Sequence, residues 1–270
     1  MKTLLTITLL LLLLACNKNK NNTPTNTTEP TLIFSDEFNG TTLDMTNWKF
    51  ETGQSGWGNN ELQNYTASGN VEVSNGTLKI IAKKTGVAQQ VGNYTSARLN
   101  SIKAFEYGQY EIRAKLPPSL GNGLWPAIWM LGNDVAAVDW PKCGEIDIME
   151  YVSFDPHKIY CALHSNANNW TLNNTLSSGP IALANAENVF HNYGILWTEN
   201  SLKFYIDAPT NIVYAVNKPT NPTNNNWPYS KPFFFLLNMA VGGNWGGTNG
   251  INDAIFPATF EIDYVRVYKL

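Results

Sequence analysis

Histidine and cysteine are scarce in this chain of 270 residues, which contains three of each. None of them falls into the paired spacings that bind zinc, so the sequence offers no support for metal catalysis. Charged side chains are also few, at 14% of the residues, and the net charge of −3 leaves no basic patch for nucleic acid and no basic stripe for a membrane surface. We therefore expect an uncharged polymer, and no nucleic acid, as the partner.

Long apolar runs are lacking beyond one near the N-terminus. The run from Leu4 to Leu14 follows Lys2 and is shorter than the about 20 residues of a membrane-spanning helix, so residues 1–15 have the layout of a secretory signal. Its Leu-Leu-Ala-Cys ending resembles a bacterial lipobox. This resemblance implies that Cys16 becomes the first mature residue and carries a lipid on an exported, membrane-anchored protein, periplasmic or at the cell surface. An ordinary cleaved signal or a short anchor is the alternative.

The next segment, residues 16–30, contains no apolar residue after its cysteine, which predicts a flexible linker. Residues 31–270 remain, a length that one all-β sandwich or barrel can occupy. Aromatic residues make up 12% of the sequence, which favours strands with aromatic surfaces. We expect one domain, and because nothing in the sequence indicates an oligomer, a monomer.

Alternation of apolar and polar side chains predicts strands in residues 110–116, 191–197 and 202–206. The mainly apolar run of residues 233–241 suits a buried central strand. The one candidate for helix, of no more than a turn or two, lies around residues 182–188. Many strands separated by Gly, Asn and Pro turns predict an all-β sandwich.

One strand-like run concentrates three acids in six positions. Side chains of a strand alternate, so Glu145 and Asp147 share one face and the two intervening isoleucines the other. Glu150 is out of phase with them, but a β-bulge near Met149 would return it to the acidic face. We therefore predict a bulge there.

Acids on one open face indicate acid/base chemistry. If the carboxyl groups of Glu145 and Glu150 lie about 5 to 5.5 Å apart, they suit a retaining glycosidase, with one as nucleophile and the other as acid/base. Asp147 between them would hold a charge or a shared proton and keep their pKa values apart. The alternative is a solvated edge strand with scattered acids.

Nine tryptophans are many for this length. Trp57 and Trp245 lie in Gly-rich stretches, and Trp125 and Trp129 precede the acidic strand. Indoles with a few polar neighbours can form a groove for sugars, although a single Trp is more often part of the core.

A hairpin turning near residues 154–156 would bring His164 opposite the acids, where it could contact substrate or nucleophile, or serve only the structure. The same register places Cys161 closer to Ile148 than to Cys143. A disulfide needs Cα atoms within about 7 Å, so we predict two buried free thiols.

Five blocks resemble glycoside hydrolase family 16 in its bulged, laminarinase-like form, in the family's order. They are residues 144–150, with the E-x-D-x-x-E signature, and residues 57–63, 125–131, 237–243 and 263–268. The resemblance implies a β-jelly-roll sandwich of two antiparallel sheets, concanavalin A-like, with a concave substrate cleft. It also implies endo-hydrolysis of β-1,3-glucan without a catalytic cofactor.

By the same resemblance, Glu145 is the nucleophile, Glu150 the acid/base and Asp147 the assisting acid. The implied substrate-binding residues are Asn60, Arg98, Trp125, Trp129 and His164.

The resemblance further implies one structural calcium on the convex side, held largely by backbone carbonyls and one carboxylate, with Glu37, Gly76 and Asp263 in the corresponding blocks. Hard oxygen ligands of this kind suit Ca²⁺. The alternative is that Asp263 caps a strand or is solvated.

Two other functions stay open at this point. A mixed-linkage β-1,3-1,4-glucanase or a hydrolase of galactose polymers would use the same acids. A lectin-like glucan-binding module would have no need of all three acids.

Overall fold

In the computed structural model, which describes residues 30–118 and 121–270, two β-sheets pack face to face. The predicted signal, the linker up to residue 29 and Cys16 lie outside the described residues. Within them, no helix is long and apolar enough to cross a membrane.

The larger sheet contains ten of the described strands. They are β1 (Thr31–Asp36), β3 (Gln63–Tyr65), β4 (Val71–Ser74), β5 (Thr77–Lys84), β6 (Tyr94–Ser96), β8 (Gly108–Lys115), β14 (His191–Thr198), β15 (Ser201–Ile206), β16 (Ile212–Asn217) and β18 (Ala258–Lys269). The order across the sheet is β16-β15-β14-β8-β18-β5-β6-β3, with β1 beside β18 and β4 beside β5.

The smaller sheet contains eight. They are β2 (Trp48–Phe50), β7 (Arg98–Phe105), β9 (Leu124–Gly132), β10 (Glu145–Glu150), β11 (Lys158–His164), β12 (Leu176–Ser177), β13 (Ile181–Ala182) and β17 (Phe233–Val241). The order is β12-β11-β10-β9-β17-β7-β2, with β13 beside β11. Among the described strand pairs, all are antiparallel except β3 with β6.

The core lies between the sheets. Alternate residues of β8, such as Tyr110 and Ile112, are fully buried in one cluster with Ile146 and Leu237 of the smaller sheet. The predicted all-β jelly-roll sandwich is therefore confirmed, as is the central position of β17, which pairs with β7 and β9.

Helix is confined, in the described residues, to α1 (Val135–Val138) and the 3₁₀ turns Trp170–Leu172 and Asp253–Ile255. The candidate helical segment around residues 182–188, expected to be no more than a turn or two, begins at the end of β13 and continues as a turn. Asn188 and Val189 both donate to the carbonyl oxygen of Asn185, and the chain then enters β14.

Candidate active site

The acidic strand β10 lies inside the smaller sheet, between β9 and β11. The pairing register shifts after Asp147, so that Met149 pairs with Ile128 and Glu150 with Ala127 of β9. Ile148 and Met149 are both buried in the core, one after the other, which is the signature of a bulge. The predicted bulge is confirmed, and it returns Glu150 to the face of the other two acids.

Glu145, Asp147 and Glu150 line a cleft of about 930 Å³, which lies on the face of the smaller sheet opposite the core. Five indoles line it, namely Trp57, Trp125, Trp129, Trp140 and Trp170. Such a cleft, mostly apolar with a few convergent polar groups, has the composition of a ligand site.

Burial disfavours the charged form of each acid. Burial raises the pKa of Glu145 to about 8, with the neighbouring Asp147 charge adding to the rise and His164 opposing it. Burial likewise raises the pKa of Glu150 to about 7, although His164 lowers it, Glu145 raises it and the Trp125 indole lowers it. The pKa of Asp147 is also raised, by burial and then by the charge of Glu150. The three acids therefore share protons at neutral pH.

His164 is the basic residue nearest to this cluster. It pairs with Glu145 across the β10–β11 hairpin, which confirms the predicted register. Its Nε2 lies 3.2 Å from Oδ2 of Asp147 and 3.7 Å from Oε1 of Glu145. The Asp147 contact lacks hydrogen-bond geometry, since Oδ2 has no hydrogen-bond partner among the described residues. His164 is buried beside the acids and is not part of the cleft wall, and its role in substrate binding stays a prediction.

Arg98 organises one wall of the cleft. Its guanidinium group lies 4.8 Å from the ring centre of Trp57 and 4.7 Å from that of Trp129, and its Nε donates to Oε2 of Glu51 over 2.6 Å. Cation–π contacts of this kind hold both rings in place. Arg98 lines the cleft as predicted, but it is only 9% exposed and much of its surface is used by the two indoles.

A buried hydrogen-bond chain fixes the edge of Trp129. Its Nε1 donates to Oδ1 of Asn238 over 2.6 Å, and Asn238 Nδ2 donates to the Tyr65 hydroxyl over 2.9 Å. The Tyr65 hydroxyl and the Gln63 amide donate to Oε2 of Glu61. The sequence reasoning missed Asn238 and Glu61, although Asn238 is the one polar residue within the apolar run of β17.

Trp125 contacts the acids directly. Its Nε1 donates to Oε1 of Glu150 over 3.0 Å, and its ring packs against Trp245, with centroids 5.4 Å apart. Trp245 in turn packs on Tyr160 at 4.9 Å. Trp125 is therefore a cleft residue, as predicted, and Trp245 supports it from behind.

Asn60 lies at the rim and not in the cleft wall. Its side chain is exposed and donates to Oδ1 of Asn244 over 2.8 Å, which ties two loops together. The preceding residues Gly58 and Asn59 line the cleft in its place. Because Asn60 has a positive φ of 55°, its side chain points differently from that of an extended residue. The predicted block therefore reaches the cleft through Gly58 and Asn59, and the role of Asn60 in substrate binding stays a prediction.

Cys143 and Cys161 are buried free thiols, as predicted. Cys161 Sγ donates to the carbonyl oxygen of Ile148 over 3.3 Å, in the expected register.

The predicted calcium ligands are separately engaged. Glu37 binds Arg266 through both carboxylate oxygens, at 2.9 and 2.7 Å, and Asp263 forms an ion pair with Arg113. Gly76 lies in the turn between β4 and β5 and can offer only its carbonyl oxygen. The two carboxylates are already neutralised by guanidinium groups, so as side-chain ligands they do not fit a calcium ion.

A β-sandwich with an acid-lined, indole-walled cleft on one sheet defines a glycoside hydrolase. Residues 58–266 match the family described as Glycosyl hydrolases family 16, and the protein belongs to that family.

Three relatives illustrate the likeness. The chain is 40% identical to a "Beta-glucanase" of Rhodothermus marinus, over 88% of this chain and 85% of the relative. It is 38% identical to "Glucan endo-1,3-beta-glucosidase A1" of Niallia circulans, where it covers 88% of this chain but 38% of that longer protein. The solved structure of a laminarinase from Flavobacterium sp. UMI-01 is 45% identical, with a TM-score of 0.79, covering 88% of this chain and 100% of the other.

Proposed function

We propose that this protein hydrolyses internal β-1,3-glucosidic bonds of laminarin-like glucans with retention of configuration. The observation that carries the proposal is the bulge in β10, which directs Glu145 and Glu150 into one indole-lined cleft. The names of the relatives, a beta-glucanase, an endo-1,3-beta-glucosidase and a laminarinase, support the choice of glucan.

In the proposed mechanism, Glu150 donates its proton to the glycosidic oxygen as the bond from that oxygen to the anomeric carbon breaks. The carboxylate of Glu145 forms a bond to the anomeric carbon. In the second step, Glu150 takes a proton from water, the water oxygen bonds to the anomeric carbon, and Glu145 leaves. Asp147 and His164 lie in contact beside Glu145, where a charge on Asp147 raises the pKa of Glu145 and His164 lowers it.

These roles need a proton on Glu150 and none on Glu145. In the free protein the pKa of Glu145, about 8, lies above that of Glu150, about 7. Burial raises the pKa of both carboxyls, so each holds a proton in part of the free protein near neutral pH, and substrate binding has to favour the arrangement with the proton on Glu150. Because the acids interact, the pH profile of activity reports the cluster and not one residue.

The test is to incubate the purified protein with laminarin, lichenan and agarose and to measure new reducing ends. We expect release from laminarin first. Faster release from lichenan would favour the mixed-linkage alternative, and release from agarose the galactan alternative. Binding to laminarin without release from any polymer would favour the lectin-like alternative. Proton NMR of the first product should show the β-anomer; the α-anomer would exclude retention.

We also propose that residues 1–15 are a signal and that Cys16 carries a lipid, with residues 16–30 as a tether. The support is the sequence pattern alone. Cys16→Ser should move the protein from the membrane fraction to the soluble fraction and remove incorporation of labelled palmitate, and unchanged fractionation would contradict the anchor.

Calcium binding and a monomeric state remain proposals as well. With the carboxylates of Glu37 and Asp263 engaged by arginines, calcium would depend on main-chain carbonyls near these residues and Gly76. Thermal unfolding with calcium and with EDTA tests the first proposal, and light scattering during gel filtration tests the second.

A further inference from the structure

Trp170 is the most exposed of the nine tryptophans. It is 48% exposed, whereas the other eight are buried or half-buried. Its ring nevertheless lines the cleft that contains the acids. Exposure of a large apolar ring has a free-energy cost in water, and a ring exposed inside a binding cleft is suited to stacking on a ligand.

The loop that carries Trp170 is held rigidly. Asn169, at 1% exposure, accepts from the backbone and hydroxyl of Thr171 and donates to the carbonyl oxygen of Ser165 over 3.0 Å. Asn174 donates to the carbonyl oxygen of Ala167 over 3.0 Å. A loop closed by the buried amide of Asn169 and the exposed amide of Asn174 presents its indole in a fixed place, so little conformational entropy is lost on binding.

Trp140 supports this ring from the side of the acids. The centroids of Trp140 and Trp170 lie 6.1 Å apart with planes inclined by 30°, and Trp140 also packs on His164 at 6.1 Å. The Trp140 side chain acts on Glu145 as well, since its hydrogen bond lowers the pKa of that carboxyl against the larger effect of burial. The two indole rings therefore form a row that begins beside the acids at Trp140 and ends at the exposed Trp170.

The strand order separates this pair from the other aromatic wall. Trp170 follows β11, on one side of β10, whereas Arg98 is on β7, three strands away on the other side. Three strand spacings correspond to about 14 Å. A polysaccharide lying across the strands would reach both walls and pass over the acids between them.

We propose that Trp170, backed by Trp140, is a sugar-stacking platform that binds the glucan chain on the β11 side of the acids, opposite the wall of Trp57, Arg98 and Trp129. The proposal rests on the proposed function and deepens it. A chain held on both sides of the reacting bond is cleaved internally, and long chains gain more from the platform than short ones.

The test compares Trp170→Ala with Leu172→Ala. Leu172 is 54% exposed in the same 3₁₀ turn but does not line the cleft, which makes it a matched control. With β-1,3-gluco-oligosaccharides of increasing length, Trp170→Ala should lower kcat/KM about tenfold for the long ones and leave the shortest cleavable one unchanged. Leu172→Ala should follow the wild type at every length, and Trp170→Phe should recover most of the loss.

Binding of the long oligosaccharide to a Glu145→Gln background, measured by calorimetry with and without Trp170→Ala, gives a readout that does not depend on turnover. Weaker binding by about tenfold is expected. If the wild type cleaves laminarin but Trp170→Ala matches it at every length and in binding, the platform is refuted while the proposed function stands. If the wild type cleaves no glucan, the proposed function itself fails.

Discussion

Acidic side chains on the outer faces of the two sheets differ in whether they have cationic partners. On the larger sheet, several acids have cationic partners: Lys115 Nζ lies 2.8 Å from Glu261, and Arg266 binds Glu37. On the smaller sheet, no described Lys or Arg lies within 4.0 Å of Glu145, Asp147 or Glu150. The acids on the larger sheet obey the rule that charges are paired or solvated, and those on β10 break it.

The difference in pairing distinguishes acids that only contribute to the surface of the fold from acids that serve the active site. Paired surface charges need no further explanation and contribute little. Three buried acids with raised pKa values oppose folding in their charged forms, and such groups concentrate at functional sites.

The largest effect is expected from the acids of β10. Glu145→Gln and Glu150→Gln should each lower kcat on laminarin by about a thousandfold or more, because the nucleophile or the proton donor is lost. Glu37→Gln on the larger sheet is the control and should retain nearly full activity. Circular dichroism should show all three folded. Near-normal turnover by either cleft variant would overturn the assigned roles.

The second effect is on stability. The same Glu145→Gln substitution that removes activity should make the protein more stable at high pH. Burial raises the pKa of Glu145 from 4.5 to about 8, so folding favours the protonated form. This stabilisation is complete below the unfolded pKa and is lost as the pH rises through about 8. At pH above 8, Glu145→Gln should therefore be more stable than the wild type, by at most about 5 kcal/mol, with the difference shrinking towards pH 4.5. Urea unfolding at several pH values measures it, and a difference that does not vary with pH would contradict the burial argument.

A smaller effect is expected at the support of the cleft wall. Asn238→Ala leaves the Trp129 indole and the Tyr65 hydroxyl without their partner, which should lower the free energy of unfolding by about 1–3 kcal/mol. Because Trp129 loses its fixed position, KM for laminarin should also rise. Ser101→Ala is the matched control: its hydroxyl is buried and bonded in the same sheet, but away from the cleft. An equal rise of KM in both variants would show that the effect is only structural.

The smallest effect is expected at an ion pair of the larger sheet. Lys115→Met removes a half-exposed partner of Glu261, which should change the free energy of unfolding by less than about 1 kcal/mol. Activity should be unchanged, and the small difference should disappear in high salt. A large loss of stability would mean that the acids of the larger sheet are not simply weakly paired surface charges, which would contradict the comparison of the two sheets.

Local pattern was enough to predict the acidic strand and its bulge. The five-residue spacing from Glu145 to Glu150 determines which side chains share a face once the strand and its bulge are assigned. Both the strand and the bulge follow from neighbours in the chain. The strands of the core were predictable for the same reason, because alternation is a local signal.

Residues that meet across long sequence separations were not predictable. Asn238 receives the Trp129 N–H from 109 positions away, and Arg98 is held between Trp57 and Trp129. Nothing local reveals that the carboxylates of Glu37 and Asp263, in the blocks expected to hold calcium, bind Arg266 and Arg113.

The sequence by itself determined the sandwich, the acids and the bulge that aligns them, since each depends on the alternation and spacing of neighbouring residues. The tertiary structure alone decided which indoles line the cleft, what holds them, and that Trp140 and Trp170 flank the acids opposite Arg98. The physical reason is that side-chain stacking and buried hydrogen bonds join strands distant in the chain, and only the register of the folded sheet brings them within contact.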